Sequence, residues 1–184
     1  GKHFPGHGYI QADSHLEKSI DHRCYADIEM CDLIPFKRMI HYGLNGVMPA
    51  HVIYSQIDPV PAGFSKFWLQ QILRTELQFA GCIFSDDLSM RGAGDFLPSL
   101  SERVQAALVA GCDMVLVCND SVGADEVLAN LTWEMSAMSL SRLACLHGRN
   151  HWESLIKLHE NGEYVHAVRE IGVIGCENGD LPLQ

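Results

Sequence analysis

Titratable side chains crowd the first fifteen residues of the chain, which begins GKHFPGHG and, after four more residues, reads DSH. Asp13 and His15 are two positions apart, and residues with this spacing point the same way in an extended segment. A carboxylate beside an imidazole fixes its tautomer and stabilises its protonated form, so the pair can donate and recover a proton near neutral pH. The same pattern also fits a simple hydrogen bond within a loop, and the spacing alone does not separate the two interpretations.

A zinc site is a second chemistry that this segment could support, because His3, His7, Asp13 and His15 are all residue types that bind zinc. However, His3 and His7 flank a stretch with a proline and a glycine, so their spacing does not place two imidazoles on one helical face. The HExxH arrangement of helical zinc sites is also missing from the segment. We therefore predict no metal ligands among these residues.

Two adjacent aspartates, Asp86 and Asp87, follow an apolar run in the segment IFSDDLSM. Acidic residues beside a buried segment are costly unless they are solvated or paired. Because side chains alternate along a strand, only one of the two can point into a site, and the other suits a helix N-cap. A carboxylate and an aspartate-supported histidine together allow double displacement at an anomeric carbon. The pattern allows this scheme but does not single it out.

Lys2 and His3 add two hydrogen-bond donors at the end of the opening segment. Such donors could bind sugar hydroxyls or an acyl carbonyl. A structural lysine paired with a carboxylate of the fold is nearly as good an interpretation of Lys2.

Short, continuous apolar runs predict the strands that position these residues, at Gly46–Ala50, Cys82–Ser85 and Met114–Cys118. Continuous runs are typical of a parallel sheet that is covered on both faces. Helical spacing of apolar residues appears between them, at Lys66–Phe79 and Leu100–Ala110. The strand–helix order predicts an α/β fold, and polar residues follow the strands where such folds build their sites. This favours a (β/α)8 barrel, of which the chain provides only about half, since a full barrel needs ~250 residues.

Composition limits the function classes further. The 184 residues, 47% of them hydrophobic, are enough for one domain with a core. A net charge of -10 argues against a protein that binds nucleic acid through its phosphates. No apolar run approaches the ~20 residues of a membrane span, so we predict no membrane partner. Seven cysteines without a CxxC pair favour a reducing compartment over a disulfide scaffold.

Several long motifs, in order, carry a resemblance to a known family. They are KHFPGHG with the following DSH (Lys2–His15), MPAHVIYSQIDPVPAGFS (Met48–Ser65), IFSDDLSM (Ile83–Met90) and AGCDMVLVCN (Ala110–Asn119). Over residues 1–149 the chain resembles the bacterial β-N-acetylglucosaminidases (β-hexosaminidases) of glycoside hydrolase family 3, of the peptidoglycan-recycling type. The resemblance implies a (β/α)8 TIM barrel, here its C-terminal half of about four strands in residues 1–150. Residues 151–184 would then form a C-terminal helical extension and tail.

The resemblance also implies a role for each motif residue. Asp86 would be the nucleophile that forms a covalent glycosyl-enzyme. His15 would be the acid/base, Asp13 would orient His15, and Lys2 and His3 would bind the sugar. The neighbouring second aspartate of the pair would be structural.

The implied activity is that of a retaining hydrolase that removes terminal β-linked N-acetylglucosamine from muropeptides in the cytoplasm during cell-wall recycling. The resemblance implies no cofactor, a muropeptide or glycoside substrate and a monomeric full-length enzyme. A histidine base is neutral when deprotonated and does not repel an anion, so transfer to phosphate, a phosphorylase activity, is a reasonable variant. A non-catalytic partial barrel, which would expose strand edges, is the remaining alternative.

Overall fold

The computed structural model describes residues 1–10, 19–148 and 155–173. Within these ranges the strands are β1 (Lys2–Phe4), β2 (Ser19–Asp21), β3 (Gly46–Pro49), β4 (Val52–Tyr54), β5 (Cys82–Asp87) and β6 (Met114–Leu116). The α-helices are α1 (Tyr25–Met30), α2 (Leu33–His41), α3 (Arg91–Gly94), α4 (Leu100–Ala110), α5 (Ser121–Asn130), α6 (Ala137–Ala144), α7 (Leu155–Glu160) and α8 (Gly162–Val173). A short 3-10 helix (Ala62–Phe64) and a π-helix (Phe67–Glu76) lie between β4 and β5.

The main sheet has four strands in the order β1-β3-β5-β6, and every neighbouring pair is parallel. Helices connect successive strands of this sheet, as the apolar runs and the helical spacing between them predict. The α/β prediction, with about four strands of a barrel, is therefore confirmed. The carboxyl ends of all four strands meet at one edge of the sheet, which we call the carboxyl edge.

A second, two-stranded parallel sheet pairs β2 with β4, with Ser19 opposite Val52 and Asp21 opposite Tyr54. The sequence analysis did not predict it. Each strand has three residues, which is too short for a periodic pattern to stand out. This small sheet connects the segment after the opening motif with the segment after β3.

Helices cover the main sheet with the faces that their apolar spacing predicts. In α4, Val104, Ala107 and Leu108 are buried. The predicted helix Lys66–Phe79 is present, but its regular part is the π-helix, which buries Trp68 and three aliphatic side chains. Each fully buried large apolar side chain contributes about 1.5–3 kcal/mol to the stability of the fold.

The limits of α4 illustrate local sequence control. The hydroxyl oxygen of Ser99 accepts a hydrogen bond from the backbone N–H of Glu102 and caps the first turn. Gly111 ends the helix with φ +122°, a conformation that side chains with a Cβ rarely adopt. A Cβ at Gly111 would also lie 1.7 Å from Nε2 of Gln70, so the end of that side chain would have to move.

A buried ion-pair network holds the opposite edge of the main sheet. Asp113, which precedes β6, is 3% exposed and lies 2.7 Å from the Arg74 guanidinium and 3.0 Å from that of Arg142. Its carboxylate also accepts hydrogen bonds from the backbone N–H of Ile83 at 2.9 Å and from the hydroxyl of Ser139 at 2.7 Å. One carboxylate thus connects the π-helix, β5 and α6.

The chain contains two compact units, Gly1–His147 and Gly148–Gln184. The division at residue 150 into a half-barrel and an extension stays a prediction. Cysteines within the described ranges are free thiols. None of the helices in those ranges has the length and hydropathy that a membrane span needs.

Candidate active site

The backbone of β1 bulges at the candidate sugar-binding histidine. Lys2 pairs with Met48 and Phe4 with Pro49, so two steps along β1 match one step along β3. His3 is therefore an extra residue on the outer strand. Such bulges re-aim side chains and are common next to active sites.

A second bulge lies at the candidate nucleophile. Phe84 pairs with Met114 and Asp87 with Leu116, so three steps along β5 match two along β6. The irregularity falls on Ser85 and Asp86. His3 and Asp86, two of the residues predicted to touch the sugar, thus lie in locally irregular strands.

These bulges bring the side chains of His3 and Asp86 together. Nε2 of His3 lies 3.7 Å from Oδ2 of Asp86, and the two side chains are 31% and 16% exposed. This distance is too long for a direct hydrogen bond but short enough for charge attraction. The other carboxylate oxygen, Oδ1, accepts a hydrogen bond from the backbone N–H of Asp87 at 2.9 Å. Asp86 therefore has one held oxygen and one oxygen that faces His3.

The carboxylate of Asp87 is used differently from that of Asp86. It accepts hydrogen bonds from the backbone N–H of Ser89 and of Cys118, both at 2.9 Å, and the Ser89 hydroxyl lies 2.7 Å from Oδ2. These contacts join the ends of β5 and β6. They agree with the structural role that the resemblance implies for the second aspartate.

Polar contacts hold the loop that follows β1. The hydroxyl of Tyr54, buried at the end of β4, donates a hydrogen bond to the carbonyl oxygen of Gly6. Burial raises the pKa of Tyr54, so the phenol keeps the proton that it donates. Arg23 lies 2.7 Å from both Asp21 and Asp32, and these carboxylates raise the pKa of its guanidinium.

The same network explains the glycine in the HFPGHG motif. A Cβ on Gly6 would lie 2.4 Å from a carboxylate oxygen of Asp32, so only glycine fits where the loop passes this side chain. The loop is therefore positioned by the small β2–β4 sheet and its salt bridges. The sequence analysis missed this support because its residues are far apart in the chain.

His51, which lies between β3 and β4, is the main residue of the site that the sequence analysis left without a role. It is 2% exposed, and its Nε2 lies 3.0 Å from the carbonyl oxygen of Asp87. Burial lowers the pKa of His51, although the negative charges of Asp86 and Asp87 oppose this shift. A histidine directly after a buried strand was the available signal.

The other predicted site residues are not brought to Asp86 by the described structure. Lys2 is exposed and borders a separate cavity of about 200 Å³ whose other lining residues include Met48 and Phe84. Asp13 and His15 lie outside the described residues. In the described ranges, no group of three or more His, Cys, Asp or Glu side chains is arranged to hold a metal ion. The sugar-binding role of Lys2 and the proton-transfer roles of Asp13 and His15 stay predictions.

Comparisons with known proteins find similar sequences along the whole chain. The chain is 58% identical over 183 residues to a protein named beta-hexosaminidase from Nitrosospira multiformis, and 52% identical over 182 residues to one from Methylobacillus flagellatus. These matches cover 100% and 99% of the chain but 52% of each relative, so the chain spans about half the length of the curated relatives it matches.

A solved structure gives the same result for the fold. The crystal structure of NagZ from Neisseria gonorrhoeae in complex with N-trifluoroacetyl-D-glucosamine superposes with a TM-score of 0.78 at 40% identity. The match covers 93% of this chain and 48% of that one. Residues 1–144 match the model of the glycosyl hydrolase family 3 N terminal domain. The chain therefore belongs to glycosyl hydrolase family 3.

Proposed function

We propose that this chain carries the nucleophile, the acid/base and part of the sugar site of a retaining β-N-acetylhexosaminidase. The substrate is a glycoside with terminal β-linked N-acetylglucosamine, and the natural substrate class is muropeptides released in cell-wall recycling. Asp86 is the nucleophile, His15 is the acid/base and Asp13 orients His15. Lys2 and His3 bind the sugar.

One observation carries this proposal, namely the asymmetric environment of the Asp86 carboxylate. Oδ1 is held by a backbone N–H at 2.9 Å, whereas Oδ2 faces His3 at 3.7 Å at the carboxyl edge of a parallel sheet. Barrel enzymes place their reacting groups at this edge. A carboxylate with one anchored oxygen and a second oxygen that faces the sugar-binding histidine suits attack on an anomeric carbon.

The reaction then follows in two steps. Oδ2 of Asp86 attacks the anomeric carbon while the bond to the leaving oxygen breaks, and that oxygen takes a proton from His15. The neutral His15 next removes a proton from water, whose oxygen attacks the same carbon and releases Asp86 as a carboxylate. Two inversions at one carbon leave the β configuration unchanged, and Asp13 favours the protonated form of His15 in the first step.

The relatives support the choice of sugar. The curated relatives are named beta-hexosaminidase, and the Neisseria protein was crystallised with N-trifluoroacetyl-D-glucosamine. We extend the proposal to muropeptide recycling, a cytoplasmic location and a monomeric enzyme. These three points rest on the resemblance of the sequence motifs to those of the peptidoglycan-recycling enzymes. The net charge of -10 supports a partner other than nucleic acid.

Hydrolysis of 4-nitrophenyl N-acetyl-β-D-glucosaminide by the intact protein that contains this chain tests the proposal. We expect turnover in which proton NMR detects the β anomer as the first product. Replacing the nucleophile, Asp86→Ala, lowers kcat by roughly 10⁴- to 10⁶-fold, as is typical when a covalent catalyst is removed. Turnover of Asp86→Ala at the wild-type rate, or α anomer as the first product, would contradict the mechanism.

The same assay with added phosphate distinguishes the phosphorylase variant, because a phosphorylase releases a sugar 1-phosphate in place of the free sugar. The alternative of a non-catalytic partial barrel is supported by the open sheet, because β1 and β6 each pair with only one strand within the described residues. That alternative predicts binding of N-acetylglucosamine without any turnover. Calorimetry with the free sugar, run beside the kinetic assay, separates these cases.

A further inference from the structure

His51 lies directly behind the end of β5, in an environment that is unusual for a histidine. It is 2% exposed, and its ring stacks on that of Phe64 with centroids 5.6 Å apart and an interplanar angle of 27°. A Cβ built on Gly63 would lie 3.7 Å from Nδ1, so the ring also packs against the 3-10 helix. A buried side chain that only filled space here would more simply be phenylalanine or leucine.

The hydrogen bond of His51 defines its protonation state. Nε2 lies 3.0 Å from the carbonyl oxygen of Asp87, and a carbonyl oxygen only accepts, so Nε2 carries the proton. Nδ1 is buried and has no hydrogen-bond partner in the part of the chain that the structure describes. A second proton on Nδ1 would therefore create a buried N–H without an acceptor, which is costly. This geometry favours the neutral ring with its proton on Nε2.

Asp87 is the residue through which His51 reaches the nucleophile. Its carbonyl oxygen accepts from His51, while its backbone N–H donates to Oδ1 of Asp86 at 2.9 Å. The Asp87 carboxylate is held in turn by Ser89 and Cys118. All the polar groups of this one residue are engaged, and the N–H that holds Oδ1 has little freedom to turn away.

We propose that His51 is a positioning residue for the nucleophile. By holding the Asp87 carbonyl, it keeps the Asp87 N–H on Oδ1 of Asp86 and presents Oδ2 as the attacking oxygen. A neutral ring does this without adding a positive charge near the carboxylate, which would stabilise that carboxylate and make it a weaker nucleophile. This inference rests on the proposed function of Asp86.

Two substitutions separate the hydrogen bond from the packing. His51→Phe keeps a ring against Phe64 but loses the donor, whereas His51→Gln keeps an N–H donor but loses the ring. For His51→Phe we expect kcat to fall roughly 10²-fold with KM almost unchanged, because small displacements of a reacting group have effects of that size. His51→Gln should recover activity to within about tenfold of the wild type, since rescue by a donor is not expected of a residue that only packs.

His41→Phe is the matched control. His41 is exposed and ends α2, which leads directly into the amino end of β3, away from the carboxyl edge. Its kcat and KM should equal those of the wild type. The rate at which a fluorinated N-acetylglucosaminyl fluoride labels Asp86, followed by mass spectrometry, should fall in His51→Phe by the same factor as kcat.

The outcomes distinguish the two proposals. Wild-type turnover in Asp86→Ala overturns both the proposed function and this inference. Loss of turnover in Asp86→Ala together with unchanged kcat in His51→Phe overturns the inference alone. Should His51→Phe fail to fold, nitrogen NMR of the wild-type histidines still decides: a neutral ring protonated on Nε2 supports the inference, and a cation at pH 7 or a proton on Nδ1 overturns it.

Discussion

Asp113, the buried aspartate that precedes β6, holds a network of charged and polar groups. Replacing it by alanine should therefore destabilise the chain strongly. The Asp113 carboxylate accepts hydrogen bonds or ion pairs from Arg74, Arg142, Ser139 and the backbone N–H of Ile83. In Asp113→Ala the Arg74 side chain, which is 9% exposed, loses its compensating charge. Removal of one partner of a buried ion pair typically lowers the free energy of unfolding by about 3–5 kcal/mol, because the other charge stays buried.

The structure places the cost in the lower part of that range. Arg74 keeps the carbonyl oxygens of Phe79 and Gly81, at 2.8 and 2.6 Å, as acceptors for its Nη1. Arg142 is 21% exposed and can turn towards water. We therefore expect the free energy of unfolding to fall by about 3 kcal/mol, a large part of the roughly 5–15 kcal/mol that stabilises a typical domain.

Urea unfolding followed by far-UV circular dichroism measures this change. The control is Asp95→Ala, which removes an aspartate 3.8 Å from Arg91; both side chains of this pair are exposed, so its loss should cost less than about 1 kcal/mol. Since Asp113 lies at the edge of the sheet away from Asp86, folded Asp113→Ala should keep its kcat. A loss below about 1 kcal/mol for Asp113→Ala would refute the reasoning, because the network would then have no net value.

Three further changes follow from the site and its support. Asp87→Ala should lower the free energy of unfolding by about 2–3 kcal/mol, because two backbone N–H groups lose their acceptor. Asp87→Asn keeps one oxygen for these groups and should lower it by only about 1 kcal/mol. Urea unfolding compares the two variants. Gly111→Ala should lose about 1–3 kcal/mol in the same assay, since alanine must adopt a positive φ there. Finally, burial lowers the pKa of the His51 imidazole in the folded chain, with a small contribution from the charge of Arg103, although the negative charges of Asp86 and Asp87 oppose this shift. In the unfolded chain the imidazole protonates near pH ~6.5. The free energy of unfolding should therefore be greatest above that pH and fall as the pH drops below it, by at most about 1.4 kcal/mol per pH unit, and His51→Gln should reduce this slope in unfolding curves measured from pH 7.5 to 5.

The sequence predicts the elements whose signals are local. Continuous apolar runs predicted β3, β5 and β6, and helical spacing predicted α4 with its buried Val104, Ala107 and Leu108. The end of this helix at Gly111 is also a local feature, because a glycine that stops a helix acts on its neighbours in the chain. For the site, position after a strand predicted that Asp86 would lie at the carboxyl edge.

Other features depend on contacts between distant residues, which no short pattern records. The pairing of β2 with β4 joins segments about 30 residues apart, and neither strand is long enough to alternate visibly. The π-helix differs from an α-helix by one residue per hydrogen bond, and the apolar spacing of Phe67–Glu76 fits both. The role proposed for His51 depends on a backbone carbonyl 36 positions away, so the contact can be identified only in the folded chain.

The bulge in β5 makes the length of this segment a functional property. Between Phe84 and Asp87 the strand carries one residue more than the partner strand from Met114 to Leu116. Deleting Ser85 would leave a more regular ladder, with both aspartates retained in the sequence, yet Asp86 would lose the irregular backbone that turns it towards His3. A comparison of sequences that counts only identical residues would score such a deletion as nearly neutral. An engineer who shortens or idealises this strand should expect an intact sheet with a misdirected carboxylate.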